Sequence, residues 1–447
     1  MLRSILIFIG GWRRGPNLNP KWPVLVSSAS AGGTIAAVRC LGAQDYDVGV
    51  LYNSRLSAAI WSRYAARSYR GPRENDSEAF LARLMEIGAE RPGQVLLASS
   101  DETAWLYAEN AATLSSRFVV HQPPVETFRR ILDKSQLAAA AAKVDVATPP
   151  TWSAPEGEEL AELARSLPYP ILIKPRTHVQ RVENSKGVIV QSDAELARAL
   201  DNFLRREKAS GAKEPARPLL QRLIRARSGP ISITGFLDRA GEHFVTRRCV
   251  KVFQRLSSTG VGLCFEALPP DEDLSEAVRR LCVELGYFGL FEAEFLAMDG
   301  GFALIDFNPR LFNQVALDIH RAMPLPLLAC LDAVGDRRGL REAVERARAY
   351  DQSQPVTIAD RFTLRATLLV QALRGARGRA QRDKWKGWMR AHAPHMIDFV
   401  ADRQDRLPAL VHALSETQLG LRALPRFFRE TREAAAAKFA VTAEKTI

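Results

Sequence analysis

FEAEFLAMDGGFALIDFNPR, residues Phe291 to Arg310, is the stretch from which the rest of this chain can be read. It divides into two apolar runs around Asp299-Gly300-Gly301, a composition that turns one strand back antiparallel on another. On the first run Glu292 and Glu294 are two residues apart, so both project from one face. On the second, Asp306 and Asn308 share a face for the same reason. A carboxylate on each of two paired strands, with an amide oxygen beside them, makes a cluster of hard oxygen donors. Mg2+ prefers such donors and completes its octahedron with phosphate oxygens and water. The plainer alternative is a solvated sheet face with Arg310 as its ion-pair partner.

Upstream, the chain alternates strands and helices. Val24-Leu25-Val26, Val48–Tyr52 and Gln94–Ala98 read as strands separated by helical patterns, which indicates βαβ units and an open parallel sheet. The loop after the first has only Gly32-Gly33, without the GxGxxG spacing of a dinucleotide site, and a tight turn explains it better. Asp101 and Glu102 fall outside the carboxyl end of a strand, where ligands bind in such sheets. They are equally explained as acidic residues complementing a helix N-terminus. Arg129–Ala142 reads as one helix opening a second region. Then come an extended proline-rich segment, a strand in ILIKPR around Lys174, and antiparallel candidates at Leu219–Ile224, Ile231–Leu237, His243–Val252 and Leu263–Ala267. From about Arg337 the pattern is helical.

The 447 residues, 47% hydrophobic and 25% charged, are enough for two or three globular domains. Cys40, Cys249, Cys264, Cys282 and Cys330 are scattered with no CxxC pair, which argues against a zinc site and a disulfide framework and for a cytoplasmic setting. The apolar run Ile5–Gly11 is too short for a signal-peptide core or a bilayer span, so 1–22 is read as a dispensable leader. The net charge of +12 is concentrated late: Arg361 to the C-terminus holds 17 Lys and Arg against 8 Asp and Glu. Thr363–Leu373 and Leu407–Phe428, with Arg422, Arg426 and Arg429, are amphipathic and basic. They fit peripheral contact with an anionic membrane or lipid-linked substrate, or packing on the body or a second subunit. No nucleic-acid motif accompanies the basic charge, and no nucleic-acid partner is expected.

The pairing of GLFEAEF with LIDFNPR resembles the ATP-grasp superfamily, in which one strand carries a metal-binding Glu and the next Glu-x-Asn-Pro-Arg. The resemblance implies that Glu294, Asp306 and Asn308 hold Mg2+, with Mn2+ as an alternative, and that Arg310 meets the transferred phosphate or the substrate carboxylate. Lys134 in LDKSQL and Lys174 in ILIKPR resemble the two ATP-phosphate lysines. Gln221 and Arg222 in LLQRLI lie where the lobes join and meet the adenine edge, and Lys251 in RRCVKVFQ lies where a further basic residue approaches the phosphates. The likeness covers roughly residues 24 to 333. Within the superfamily the chain looks most like uncharacterised carboxylate–amine ligases, from GLFEAEF and Met323-Pro324-Leu325-Pro326.

Three departures from the family pattern stand out. Asp306 replaces the usual Glu, Arg222 stands where an acid commonly follows, and Thr177–Ser185 lacks the glycines of a phosphate lid. His178, Gln180 and Arg181 would then contact phosphates through side chains. The expected organisation is a leader at 1–22, an N-terminal α/β domain at 23–125, a two-lobed ATP-grasp domain at 126–335 and a basic helical extension at 336–447. The expected activity is ADP-forming ligation of a small carboxylate to an amine. A carboxylase, a carbamoyl-phosphate-type kinase and a degenerate nucleotide-binding protein are the alternatives.

Overall fold

The computed structural model describes residues 22–30, 32–177, 179, 187–209, 217–224, 229–254, 262–372 and 376–422. The leader, apart from Trp22, lies outside them. β1 (Val24–Val26), α1 (Gly32–Gly42), β2 (Val48–Tyr52), β3 (Arg67–Arg70), α2 (Ser77–Glu90), β4 (Gln94–Leu97), α3 (Asp101–Glu109) and β5 (Phe118–Val119) build the first region. Its sheet has the order β3-β2-β1-β4-β5 and is parallel throughout. Every residue of β1 and β4 is buried, as central strands covered on both faces must be. Two strands escaped the sequence reading. β3 (RSYR) is a charged edge strand and β5 has two residues, so neither carries an apolar run.

The expected helix over Arg129–Ala142 is two helices, α4 (Val125–Leu132) and α5 (Lys134–Lys143). Asp133 breaks it. Its backbone is extended and its carboxylate accepts from the Ser135 and Gln136 N–H groups, satisfying first-turn donors of a new helix. β6 (Thr151–Ser153), β7 (Ile171–Lys174), β8 (Val188–Val190) and β9 (Leu219–Arg222) form a small antiparallel sheet in the order β6-β9-β7-β8. α6 (Gly157–Ser166) and α7 (Asp193–Ala209) cover its Ile171, Ile173 and Leu220 face.

The larger sheet comprises β10 (Ile231–Leu237), β11 (Phe244–Gln254), β12 (Gly262–Leu268), β13 (Gly289–Met298) and β14 (Gly301–Asn308), with α8 (Glu272–Leu285) between β12 and β13. Asp271 caps the Leu274 N–H, and Gly286 ends α8 with φ 66°. Leu274, Val278, Leu281, Cys282 and Leu285 recur every three or four residues and pack under Phe291, Ala293, Phe295 and Phe307. Each buried Leu, Val or Phe among them contributes roughly 1.5–3 kcal/mol. With this apolar face turned to α8, the alternate residues of β13 and β14 are committed to the opposite face.

α9 (Val315–His320), α10 (Leu325–Ala333) and α11 (Arg337–Arg348) follow, then β15 (Thr357–Ala359), α12 (Arg361–Ala372), α13 (Ala376–His392) and β16 (Met396–Asp398). The C-terminal region is helical as expected, and it also adds two strands to the larger sheet, whose order is β14-β13-β10-β11-β12-β15-β16. At three residues each, they show no period and exist through pairing alone. α12 buries Leu364 and Leu368 against Phe253 and Cys264, so this part of the basic tail packs on the sheet. Helix 407–422 leaves Leu407, Leu410 and Leu414 exposed. Arg426 and Arg429 lie outside the described residues. Among the described residues, no helix is long and apolar enough to cross a membrane.

Candidate active site

β13 and β14 carry the acidic face. Their register pairs Glu292 with Asn308 and Glu294 with Asp306, followed by a bulge, so the two carboxylates are cross-strand neighbours on one face. Glu294 Oε1 accepts from Lys251 Nζ on β11 at 2.5 Å. Asp306 Oδ1 accepts from Lys134 Nζ at the start of α5 at 2.7 Å. Burial works to lower the Lys251 pKa, but the Glu294 and Glu292 carboxylates outweigh it and raise it.

Glu292 lies deeper. It is 3% exposed and accepts from Ser232 Oγ at 2.7 Å, from the Gln314 amide and from Asn308 Nδ2 at 3.0 Å. Burial, then the adjacent Glu294 charge, push its pKa to about 7. Taking the Asn308 N–H fixes that amide with its oxygen toward Arg310, whose guanidinium donates to Asn308 Oδ1 at 2.9 Å. Arg310 Nε donates to Asp101 Oδ1, also at 2.9 Å. Asp101 is therefore part of the site as well as a first-turn acid of α3. Next to it, burial raises Glu102 to about 7, with the Asp101 and Glu74 charges adding to the shift.

The smaller sheet supplies the other wall. Lys174 Nζ donates to Gln221 Oε1 at 3.4 Å, and Gln221 Nε2 to Thr151 Oγ1 at 3.0 Å. Desolvation, then the Lys134 charge, lower Lys174 to about 8. Arg222 does not join them. Strand alternation puts it on the opposite face with Leu220, paired with Ile171 and exposed. The one-residue step from Gln221 decides this. His178, Gln180 and Arg181 lie outside the described residues.

Several residues that organise the site went unread. Asp133 Oδ2 accepts from Arg176 Nε at 2.7 Å, and the Lys134 N–H donates to the Arg176 carbonyl at 3.1 Å. Arg176 thereby couples β7 to α5, so that Lys134 and Lys174 reach the cleft together. Ser232 and Gln314 anchor Glu292 from 60 and 22 residues away, and no local pattern announces such partners. Gly32-Gly33 has a different role from the tight turn assigned to it. A Cβ on Gly33 would lie 2.4 Å from the Phe312 carbonyl oxygen, so the glycine admits the chain that leaves Arg310. The Leu311 N–H donates to the Ala98 carbonyl at 3.0 Å, closing the parallel sheet against the end of β14.

As a metal site the donors are two carboxylates and an amide. Among the described residues no three His, Cys, Asp or Glu gather to hold an ion. That set fits Mg2+ sharing its shell with phosphate oxygens, and it does not fit a thiolate or imidazole metal.

No family model matches the chain. The carbamoyl phosphate synthase large chain of Helicobacter pylori (strain J99) is 22% identical over 290 residues, 60% of this chain. The match spans only 24% of that relative's length. Among solved structures, the biotin carboxylase domain of Hydrogenobacter thermophilus 2-oxoglutarate carboxylase superposes with a TM-score of 0.58 at 18% identity, covering 71% of each chain. That structure is a complex with MgADP, ADP and bicarbonate. Biotin carboxylase from Campylobacter jejuni gives 0.57 at 18% identity, over 70% of this chain and 71% of that one. L-amino acid ligase from Bacillus licheniformis gives 0.54 at 15%, over 71% and 75%. The shared architecture is the ATP-grasp fold.

Proposed function

We propose that this chain, built on the ATP-grasp fold, is an ATP-dependent ligase that activates a carboxylate as an acyl phosphate and passes the acyl group to an amine. The observation that carries this reading is the contact of Lys134 and Lys251 with the Glu294–Asp306 pair, with Lys174 close enough to feel both carboxylates and Arg310 bonded to the adjoining Asn308. A carboxylate attacking the γ-phosphate meets like-charge repulsion, which fixed cations offset without reorganising. Mg2+, held by Glu294 and Asp306 with Asn308 alongside, would supply charge neutralisation at the phosphates, and Mn2+ suits the same oxygens. Lys134 and Lys251 then exchange a carboxylate for a phosphate partner, and Lys174 with Gln221 lines the nucleotide side.

A carboxylate oxygen bonds to the γ-phosphorus as the bond to ADP breaks. The amine nitrogen then attacks the acyl carbon, the carbon–oxygen bond breaks, phosphate leaves with its electron pair, and the nitrogen gives up a proton to phosphate or water. No enzyme nucleophile is needed. All five cysteines are buried, and burial pushes the Cys40 thiol up to about 12. With bicarbonate as the acid the same residues would serve a carboxylase, a second reading favoured by the biotin carboxylase likenesses.

ADP release measured with pooled amino acids, small carboxylates and bicarbonate tests both. Mg2+-dependent release stimulated by one acid–amine pair supports the ligase, and stimulation by bicarbonate supports the carboxylase. ATP binding that is absent with every pool overturns both.

A further inference from the structure

Beyond the phosphate-transfer centre, a cavity of about 100 Å³ opens at the carboxyl end of β1 and β2. Ser28, Ser30, Tyr52, Asn53, Ser57 and Glu74 line its polar side. Among the described residues no Lys, Arg or His lines it, so it is a poor host for an acid and a good one for a cation. We propose that this cavity binds the ammonium group of the amine co-substrate, with Glu74 as its counter-ion. The inference rests on the ligase reading for the word co-substrate, but not for the binding itself.

The geometry supports it in three ways. Glu74 is held ready: Oε1 accepts from the Ser28 hydroxyl and Oε2 from the Ser100 hydroxyl. Each carboxylate oxygen has a second lone pair, and an ammonium brings three donors. The remaining lining is matched to a hydroxylated amine. Ser30 and Ser57 hydroxyls stand 3.0 Å apart, Asn53 is exposed, and Tyr52 and Phe80 complete the wall with aromatic rings. Ser28 is held at φ 54°, a conformation unusual for a non-glycine residue, and its carbonyl accepts from Thr34 Oγ1 at 2.9 Å.

The position is also right. Ser100, which contacts Glu74, directly precedes Asp101, and Asp101 holds Arg310. One continuous series of side chains therefore runs from the cavity to the Asn308 end of the acidic strands. Arg310 is paired with Asp101, and Glu74 is the one carboxylate among the described residues that line the cavity.

Ligand-observed NMR titration of the full chain with ethanolamine, and with ethylene glycol as its uncharged counterpart, tests the site. MgATP binding is followed calorimetrically in the same samples. Ethanolamine should bind at least tenfold more tightly than ethylene glycol, and Glu74→Gln should abolish that preference with MgATP affinity unchanged. Asn53→Leu, which fills the mouth from an exposed position, should weaken ethanolamine binding comparably if Glu74→Gln misfolds. Equal affinity for the two probes, or ethanolamine binding untouched by either variant, overturns the proposal while MgATP binding keeps the ligase reading intact. Loss of MgATP binding in the unaltered chain sinks the ligase reading, and the ethanolamine comparison still decides the cavity.

Discussion

Glu294 and Asp306 sit opposite each other on neighbouring strands, yet each is already engaged by a lysine from a different element. Lys251 reaches Glu294 from β11, and Lys134 reaches Asp306 from the first turn of α5. Taking a lysine away would leave a partly buried carboxylate uncompensated, which is costly. On the proposed reading the nucleotide and the metal would bind together: phosphates would recruit the lysines while the metal took the carboxylates.

Arg310 should be intolerant even of lysine. Its planar fork spans Asp101 and Asn308 at 2.9 Å each, and an ammonium cannot reproduce two directed contacts. Arg310→Lys should cut acid-stimulated ADP release by on the order of 10²-fold, with the melting temperature little changed. Retention of more than half the rate would show that Arg310 is structural only.

Lys174 gives the pH dependence. Its pKa is lowered to about 8 by desolvation and by Lys134, so the free protein loses this charge as pH rises through that value. Phosphates favour the charged form, so ATP affinity should fall from about pH 7 to about pH 9, and binding near pH 8 should take up a proton. The unfolded chain holds the proton up to the ordinary lysine range, so stability from this group rises with pH from about 8 up to that range. Calorimetry in buffers of different ionisation heat reads the proton directly. Lys174→Met should flatten the profile, and a flat profile in the unaltered chain would refute the assignment.

Gly33 tests the contact between the parallel sheet and the chain leaving the site. With the Phe312 carbonyl oxygen 2.4 Å from a built Cβ, Gly33→Ala should cost about 1–3 kcal/mol in chemical denaturation. Gly387→Ala, exposed in α13 with open space around it, should be neutral or stabilising by up to about 1 kcal/mol. Equal stability of the two variants would mean that the backbone shifts freely at Gly33.

The hairpin from Phe291 to Arg310 could be read from the sequence because alternation, a Gly-Gly turn and one-sided charge all agree there. Strands β15 and β16 could not, since three residues have no period and their partners lie far away in the chain. Asp133 looked like one more residue of a continuous helix until its cap contacts showed that it starts α5. Arg222 was assigned to the cleft by its neighbour Gln221, and alternation then turned it to the other face. The supports of Glu292, Ser232 and Gln314, are ordinary residues whose importance comes only from where they meet. Lys134 and Lys174 were found through resemblance to a family, while Arg176, which couples their elements, was passed over.

Electron paramagnetic resonance of Mn2+ titrated into the full chain with and without ATP tests the Glu294–Asp306 ion site most directly. The account predicts tight, ATP-dependent Mn2+ binding that disappears in both Glu294→Ala and Asp306→Ala, with circular dichroism unchanged. ATP-dependent Mn2+ binding of undiminished affinity in either variant would contradict it.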